Sequence, residues 1–237
     1  MIFATSDIHG YPLEAFLSLL EKAGFSASDW LYVIGDVIDR NGDGGIGTLR
    51  WMKQQENVTL IKGNHEAMML DCEFAVADHV DLTNPRKVTL EQQYNLLRWH
   101  RNGCLPTLES LLKLREEDPQ ELAELLEYVR SAPLHMEVSV PMKHFVLVHG
   151  GLNGFSPDRS LDDYSDDDLL WTRPGAEERY WDDRMVILGH TPTRYYGMKD
   201  RMFMTDTWTD IDTGAAGGGS PMLLRLDDMC GFYADQA

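Results

Sequence analysis

Gly35-Asp36-Val37-Ile38-Asp39-Arg40 follows directly on the apolar run Leu31-Tyr32-Val33-Ile34. A short apolar run closed by glycine reads as a buried strand. Asp36 then stands at that strand's carboxyl end, where open α/β sheets place ligands. Asp39 and Arg40 lie in the loop beyond. Alone, a Gly-Asp pair after a strand is equally the mark of an ordinary turn. Its weight comes from its neighbours. Ile2–Thr5 runs into Ser6-Asp7-Ile8-His9-Gly10, and Val58–Ile61 into Lys62-Gly63-Asn64-His65-Glu66. The run 144–148 ends in His149-Gly150-Gly151, and Met185–Leu188 in Gly189-His190-Thr191-Pro192.

Between the first two runs, residues 12–23 have helical pattern. Pro12 suits a first turn, Leu13, Phe16, Leu17 and Leu20 share one face, and Gly24 can end it. Strand, helix and strand form a βαβ unit, so the strands are parallel and Asp7 and Asp36 emerge at one sheet edge. Residues 46–55 suit a second helix. From 67 to about 133 no strand is evident. Helices are expected over 67–78, Leu90–Arg101, 106–115 and 119–130, as an insertion folded against the sheet. Trp99, His100 and Arg101 lie in it; they could face a site, but core and surface roles are expected first. A hairpin is expected from 136–140 and 144–148, and antiparallel closing strands from 221–226 and Cys230–Tyr233. The acidic stretch 158–168 reads as a solvated loop and helix start.

The 237 residues suit one domain, 1–237, large enough for a substantial core. Lys+Arg 21 against Asp+Glu 39 gives a net charge of −18. That excludes general attraction to nucleic acid or an anionic membrane surface. A phosphate substrate would have to be attracted locally, by metal or a few arginines. The 3 cysteines are odd in number and dispersed, which suits reduced thiols. No basic leader and long apolar stretch precede the first strand, and no run reaches membrane-span length. A cytoplasmic protein is therefore expected. Oligomeric state is not readable.

The strand ends together offer Asp7, His9, Asp36, Asn64, His149 and His190. Two carboxylates, an amide and three imidazoles suit first-row transition metals better than Ca²⁺. Six donors exceed one four-coordinate ion but suffice for two if one carboxylate bridges, and Asp36 on a central strand is the natural bridge. Two cations can deprotonate a bridging water and clamp a phosphoryl group for in-line displacement. Arg40 and Arg173 are candidate phosphate clamps, Arg173 being turned from helical geometry by Pro174. His65 can supply the leaving group's proton, with Asp39 holding its ring. No P-loop, nucleophile elbow or cysteine phosphatase loop is present.

Asp7-Ile8-His9-Gly10, Gly35-Asp36-Val37-Ile38-Asp39-Arg40, Gly63-Asn64-His65-Glu66 and His149-Gly150-Gly151-Leu152, in that order, resemble the metal-dependent phosphoprotein phosphatase (PPP) family, especially its short bacterial and phage members. Ser6 and Asn41 stand where that family usually has glycine. The resemblance implies a calcineurin-like metallophosphatase αββα sandwich, two mixed sheets flanked by helices. It implies one metal on Asp7, His9 and Asp36, and a second on Asp36, Asn64, His149 and His190. It makes His65 and Asp39 the proton-donor pair, and Arg40, Arg173 and Asn64 the phosphate holders. Two divalent ions are expected, manganese first and iron or zinc otherwise. The expected activity is a serine/threonine protein phosphatase. The alternative is a hydrolase of dinucleoside polyphosphates such as diadenosine tetraphosphate, against which Glu66 and Gly150 weigh. A non-catalytic phosphoprotein-binding relative is a third reading, and turnover of p-nitrophenyl phosphate separates it from both.

Overall fold

The computed structural model describes residues 1–77 and 88–234. β1 (Ile2–Thr5) leads through α1 (Leu13–Lys22) to β2 (Trp30–Ile34), and α2 (Ile46–Lys53) leads to β3 (Val58–Ile61). These three strands are parallel, with Thr5 beside Val33 and Ile34 beside Ile61. Their carboxyl ends therefore open on one edge, as crossover helices require. β9 (Met222–Arg225) and β10 (Cys230–Tyr233) add antiparallel beyond β1, giving the order β10-β9-β1-β2-β3.

The second sheet comprises β4 (His135–Val140), β5 (Lys143–Val148), β6 (Met185–Leu188), β7 (Phe203–Met204) and β8 (Trp208–Asp210), in the order β4-β5-β6-β8-β7. β5, β6 and β8 are parallel, while β4 and β7 run antiparallel at the edges. Val140 pairs with Lys143, so Pro141-Met142 is the two-residue turn of the expected hairpin. β7 and β8 escaped the sequence reading because they are two and three residues long and two of the three residues of Trp208-Thr209-Asp210 are polar.

Side-chain alternation along the strands decides the layering. Ala4, Ile34 and Ile61 meet Phe145, Leu147 and Ile187 in one buried cluster between the sheets. Their strand neighbours Phe3, Leu31, Val33 and Leu60 point outward into the helices. Val146, Val148, Val186, Leu188 and Trp208 face the opposite outer layer, with Leu169 of α7 (Asp166–Leu170). The result is two mixed sheets flanked by helices.

The insertion contains α3 (Asn64–Asp71), α4 (Leu90–Arg101), α5 (Leu105–Glu117) and α6 (Pro119–Ser131). Its Trp99, Leu111, Leu122, Leu125 and Val129 join Phe3 and Leu31 in one cluster. A capping box starts α4, Thr89 Oγ1 accepting from Gln92 N at 3.1 Å. Asp118 caps α6 ahead of Pro119. The helix expected over 67–78 instead begins at Asn64 and ends at Asp71, with a 3₁₀ turn over Glu73–Ala75; Asp78 lies outside the described residues. The reason is Glu66, whose carboxylate accepts from Gly63 N at 2.9 Å and makes Gly63 the cap. In the acidic stretch, Asp168 accepts from Ser165 N and starts α7.

Candidate active site

Asp7 and His9 follow β1, and Asp36, Asp39 and Arg40 follow β2. Asn64 and His65 form the first turn of α3, and His149 and His190 follow β5 and β6. Asp7, His9, Asp36, Arg40, Asn64, His65, Arg173 and His190 surround one cavity of 180 Å³. His149 lies against it, its Nε2 3.2 Å from Asp36 Oδ1, and Asp39 lies behind His65. All are buried except the two arginines, which are exposed.

Many of these residues share an uncommon backbone. Asp7 (φ 50°), His9 (47°), Asp36 (54°), Asp39 (75°), Arg40 (73°) and His190 (67°) are all left-handed. Among the other described non-glycine residues only Met142, Asp200 and Met229 are. Such conformations cost about 1–3 kcal/mol each and persist where the surroundings over-determine them. The strain turns the chain sharply at each strand end and aims the side chains at a common centre. Gly189 allows that approach, since a Cβ there would lie 2.1 Å from Asp7 Oδ2.

Hydrogen bonds aim the imidazoles. His9 donates from Nδ1 to Ile38 O (2.9 Å), and His149 from Nδ1 to Ile34 O (3.0 Å). Each leaves Nε2 directed at Asp36, 3.5 Å from Oδ2 and 3.2 Å from Oδ1 respectively. Metal-binding histidines are oriented in this way, through the ring nitrogen that does not ligate. Asn64 Oδ1 lies 2.9 Å from His149 Nε2. Donor atoms of His9, Asp36 and His65 lie within 4.8 Å of one another, and so do those of Asp36, His149 and His190. Asp36 belongs to both groups. His65 thus stands within the first of them, and Asp7 joins it through a 3.8 Å approach to His9 Nε2.

Burial and mutual contact shift the titration of these groups in opposite directions. Burial lowers His9 and His190 to about 3, so both are neutral imidazoles. Burial opposes charge on His149 too, but Asp36 outweighs it and lifts His149 to about 10. Burial also opposes charge on Asp36, yet His149 and His65 hold it well below the carboxylate range. Asp7 is pushed well up by burial and by Asp212. His190 Nε2 is buried with no hydrogen-bond partner among the described residues. A neutral, orphaned imidazole nitrogen beside the buried carboxylate of Asp36 fits a divalent ion, and Asp36 belongs to both groups of donors.

His65 is held differently. Its Nδ1 meets Asp39 Oδ2 at 2.5 Å, and its Nε2 lies 3.3 Å from Arg40 Nη2. Burial opposes its charge, but Asp36 and Asp39 prevail and raise its pKa. Asp39 is itself gripped from the insertion. Trp99 donates its indole N–H to Oδ2 (2.9 Å), and Thr107 donates its hydroxyl to Oδ1 (2.6 Å).

Sequence reasoning passed over several of these residues. Trp99 takes its expected place in the core and also faces the site, its N–H meeting Asp39. Glu66 accepts from the backbone N–H of Asp36, Val37 and Gly63 at 2.8–2.9 Å, locking two strand ends together. Asp212 lines the cavity beyond β8, and burial raises it to about 6. It too follows a strand, but one too short to recognise. Arg194 and Tyr195 line the cavity from the segment after His190. Arg40, Arg173 and Arg194 have no carboxylate partner within 4 Å among the described residues, whereas Arg50, Arg98, Arg130, Arg159, Arg184 and Arg225 each do.

Known proteins share this framework. A curated bis(5'-nucleosyl)-tetraphosphatase (symmetrical) of Acidovorax sp. (strain JS42) is 26% identical over 152 residues, 64% of this chain and 44% of that protein. The match thus spans under half of the relative's length. A crystal structure of a putative diadenosine tetraphosphatase has TM-score 0.63 at 17% identity, covering 98% of this chain and 91% of its own. A serine/threonine phosphatase from Saccharomyces cerevisiae has TM-score 0.59 at 15% identity, covering 100% and 80%. At these identities the structures establish a shared fold. Residues 1–209 match one family throughout, and with the fold and the donor set in place the chain belongs to the calcineurin-like phosphoesterases.

Proposed function

We propose that the chain is a metal-dependent phosphoesterase that transfers a phosphoryl group directly to water. The observation that carries this reading is the sharing of Asp36 between two groups of metal-type donors, beside arginines without carboxylate partners. Asp7, His9 and Asp36 would hold one divalent ion, and Asp36, Asn64, His149 and His190 the other, manganese being the first candidate. Bound there, the ions supply Lewis acidity and an activated water. Arg40 and Arg173 hold the non-reacting phosphoryl oxygens, with the Asn64 amide as a further donor. His65 Nε2 delivers a proton to the leaving oxygen while Asp39 anchors Nδ1. The strained loops keep these groups in place before substrate arrives, so little ordering is left to the reaction itself. Residues 1–237 act as one domain in this reading, because the insertion shares the first sheet's apolar cluster.

Two substrate classes have support. Phosphoserine and phosphothreonine in proteins are favoured by the Asn64-His65-Glu66 and His149-Gly150 motifs. Symmetrical dinucleoside tetraphosphates are favoured by the name of the Acidovorax relative. The test is turnover by manganese-loaded protein of a phosphothreonine peptide and of diadenosine tetraphosphate, side by side, with His65→Asn. The variant is expected to lower kcat on the preferred substrate on the order of 10²–10⁴-fold. Turnover that survives both His65→Asn and chelation would overturn the reading.

A further inference from the structure

The catalytic cavity continues on one side into a second groove. Pro192, Arg194 and Gly217 line both. The groove, 220 Å³, is lined among others by Arg194, Lys199, Asp200, Gly214, Gly217 and Gly219. Neither Arg194 nor Lys199 has a carboxylate partner within 4 Å among the described residues. In a chain of net charge −18, a concave groove that gathers two cations without a close ion pair, against the one carboxylate of Asp200, is unusual, and it adjoins a site already lined by Arg40 and Arg173. Gly217 makes room for the guanidinium: a Cβ there would lie 2.9 Å from Arg194 Nη1. Tyr195 is exposed at the cavity's mouth, with the Arg194 guanidinium 5.8 Å from its ring.

We infer that Arg194 and Lys199 form a second phosphate subsite, so that the substrate is a nucleoside oligophosphate and not a phosphopeptide. The inference rests on the phosphoesterase reading of the adjoining site and selects among its substrates. One phosphoryl group sits at Arg40 and Arg173. The next phosphates of the same chain run past Gly217, and the two cations take their charge through charge-assisted hydrogen bonds. Gly214, Gly217 and Gly219 add no side-chain bulk to the groove's lining. The exposed ring of Tyr195 offers a face on which a base can stack. A phosphopeptide carries one phosphate and continues as neutral backbone, which would leave both cations unmatched.

The test compares kcat/KM for adenosine 5′-tetraphosphate, tripolyphosphate, a phosphothreonine peptide and p-nitrophenyl phosphate, with manganese in excess of all ligands. Wild type is expected to prefer the tetraphosphate to the peptide. Lys199→Ala should raise KM for the tetraphosphate on the order of tenfold, the size of one charge-assisted contact, and leave p-nitrophenyl phosphate unchanged. Arg194→Ala should lower the tetraphosphate-to-nitrophenyl ratio by at least that factor. Gly217→Ala, which displaces Arg194 without removing its charge, should lower it in the same direction. An equal loss on tripolyphosphate assigns the effect to phosphate contacts, as inferred. Equal losses on p-nitrophenyl phosphate, no loss in any variant, or a preferred peptide would overturn the subsite. If wild type turns over nothing, the phosphoesterase reading alone fails. Equilibrium dialysis of adenosine 5′-tetraphosphate against wild type and Lys199→Ala still decides the subsite.

Discussion

Glu66 shows how much one side chain organises. Its carboxylate, fully buried, accepts from three backbone N–H groups on the loops that carry Asp36 and Asn64. Burial and the nearby Asp36 raise its pKa, so the three donors are what keep it useful as an acceptor. Glu66→Gln replaces one oxygen by an NH₂ that must face N–H donors. The expected cost is about 2–3 kcal/mol of stability, read from urea denaturation. Activity should fall roughly 10–100-fold through displacement of Asp36. Unchanged stability in the variant would show that the loops are held by other means. Thr107→Val removes, at nearly constant volume, the hydroxyl that donates to Asp39 Oδ1, accepts from Asp39 N and lies 3.1 Å from Gly44 O. If Asp39 serves His65 as proton donor, the variant should lose on the order of tenfold on phosphothreonine peptide and much less on p-nitrophenyl phosphate, whose leaving group needs no proton. Equal loss on both substrates would assign Thr107 a purely structural role.

Among the elements, the helices do more than cover the sheets. α4 brings Trp99 and the start of α5 brings Thr107, both to Asp39, so the insertion finishes a site whose other parts come from strand ends. The insertion both covers the core and reaches the site: Leu111 and Leu122 lie in the core cluster while Asn102 lines the cavity. Asn41 ties three loops, donating to His9 O and Ala215 O. α7 illustrates a local pH dependence. Hydrogen bonds from Asn153 and Ser165 hold Asp168 down to about 2. A depressed carboxylate contributes stability above its unfolded value of about 4 and loses it as pH falls through the folded value. The stability gap between wild type and Asp168→Asn should therefore be widest above about pH 4 and close as pH falls toward 2. A gap that does not change with pH would mean that the cap works without the charge.

The molecule as a whole places the donor set across two sheets. Asp7, His9, Asp36 and Asn64 come from the first sheet's strand ends, and His149 and His190 from the second's. Ions bound between them would tie the sheets together, so binding should stabilise the entire fold. At a hundred times Kd the linkage is about 2.7 kcal/mol, or roughly 5–10 °C in Tm for a chain of this size. Differential scanning calorimetry of wild type and His190→Ala, with manganese and with chelator, reads this without any substrate. The variant should show a smaller rise, and an equal rise in both would remove His190 from the proposed ligands. No helix among the described residues is long and apolar enough to cross a membrane.

Local chemistry was legible in the sequence: the strands β1, β3 and β6 to the residue, the βαβ crossover, and the polar residues that end each run. These are short-range facts, set by apolar runs, glycines and caps within a few residues. The division into two sheets was not legible from the runs themselves. Their strands are buried on both faces, so Ala4 and Phe3, or Val146 and Leu147, look alike in sequence though they face different layers. Nor were the partners of Asp39, the place of Asp212 or the convergence of Arg194 with Lys199 legible, because each joins segments far apart in the chain. Residue type and spacing determined which groups could bind metal and phosphate. Only the packing of two sheets and an insertion decided which of them meet, since long-range contact depends on the faces that burial selects and not on order along the chain.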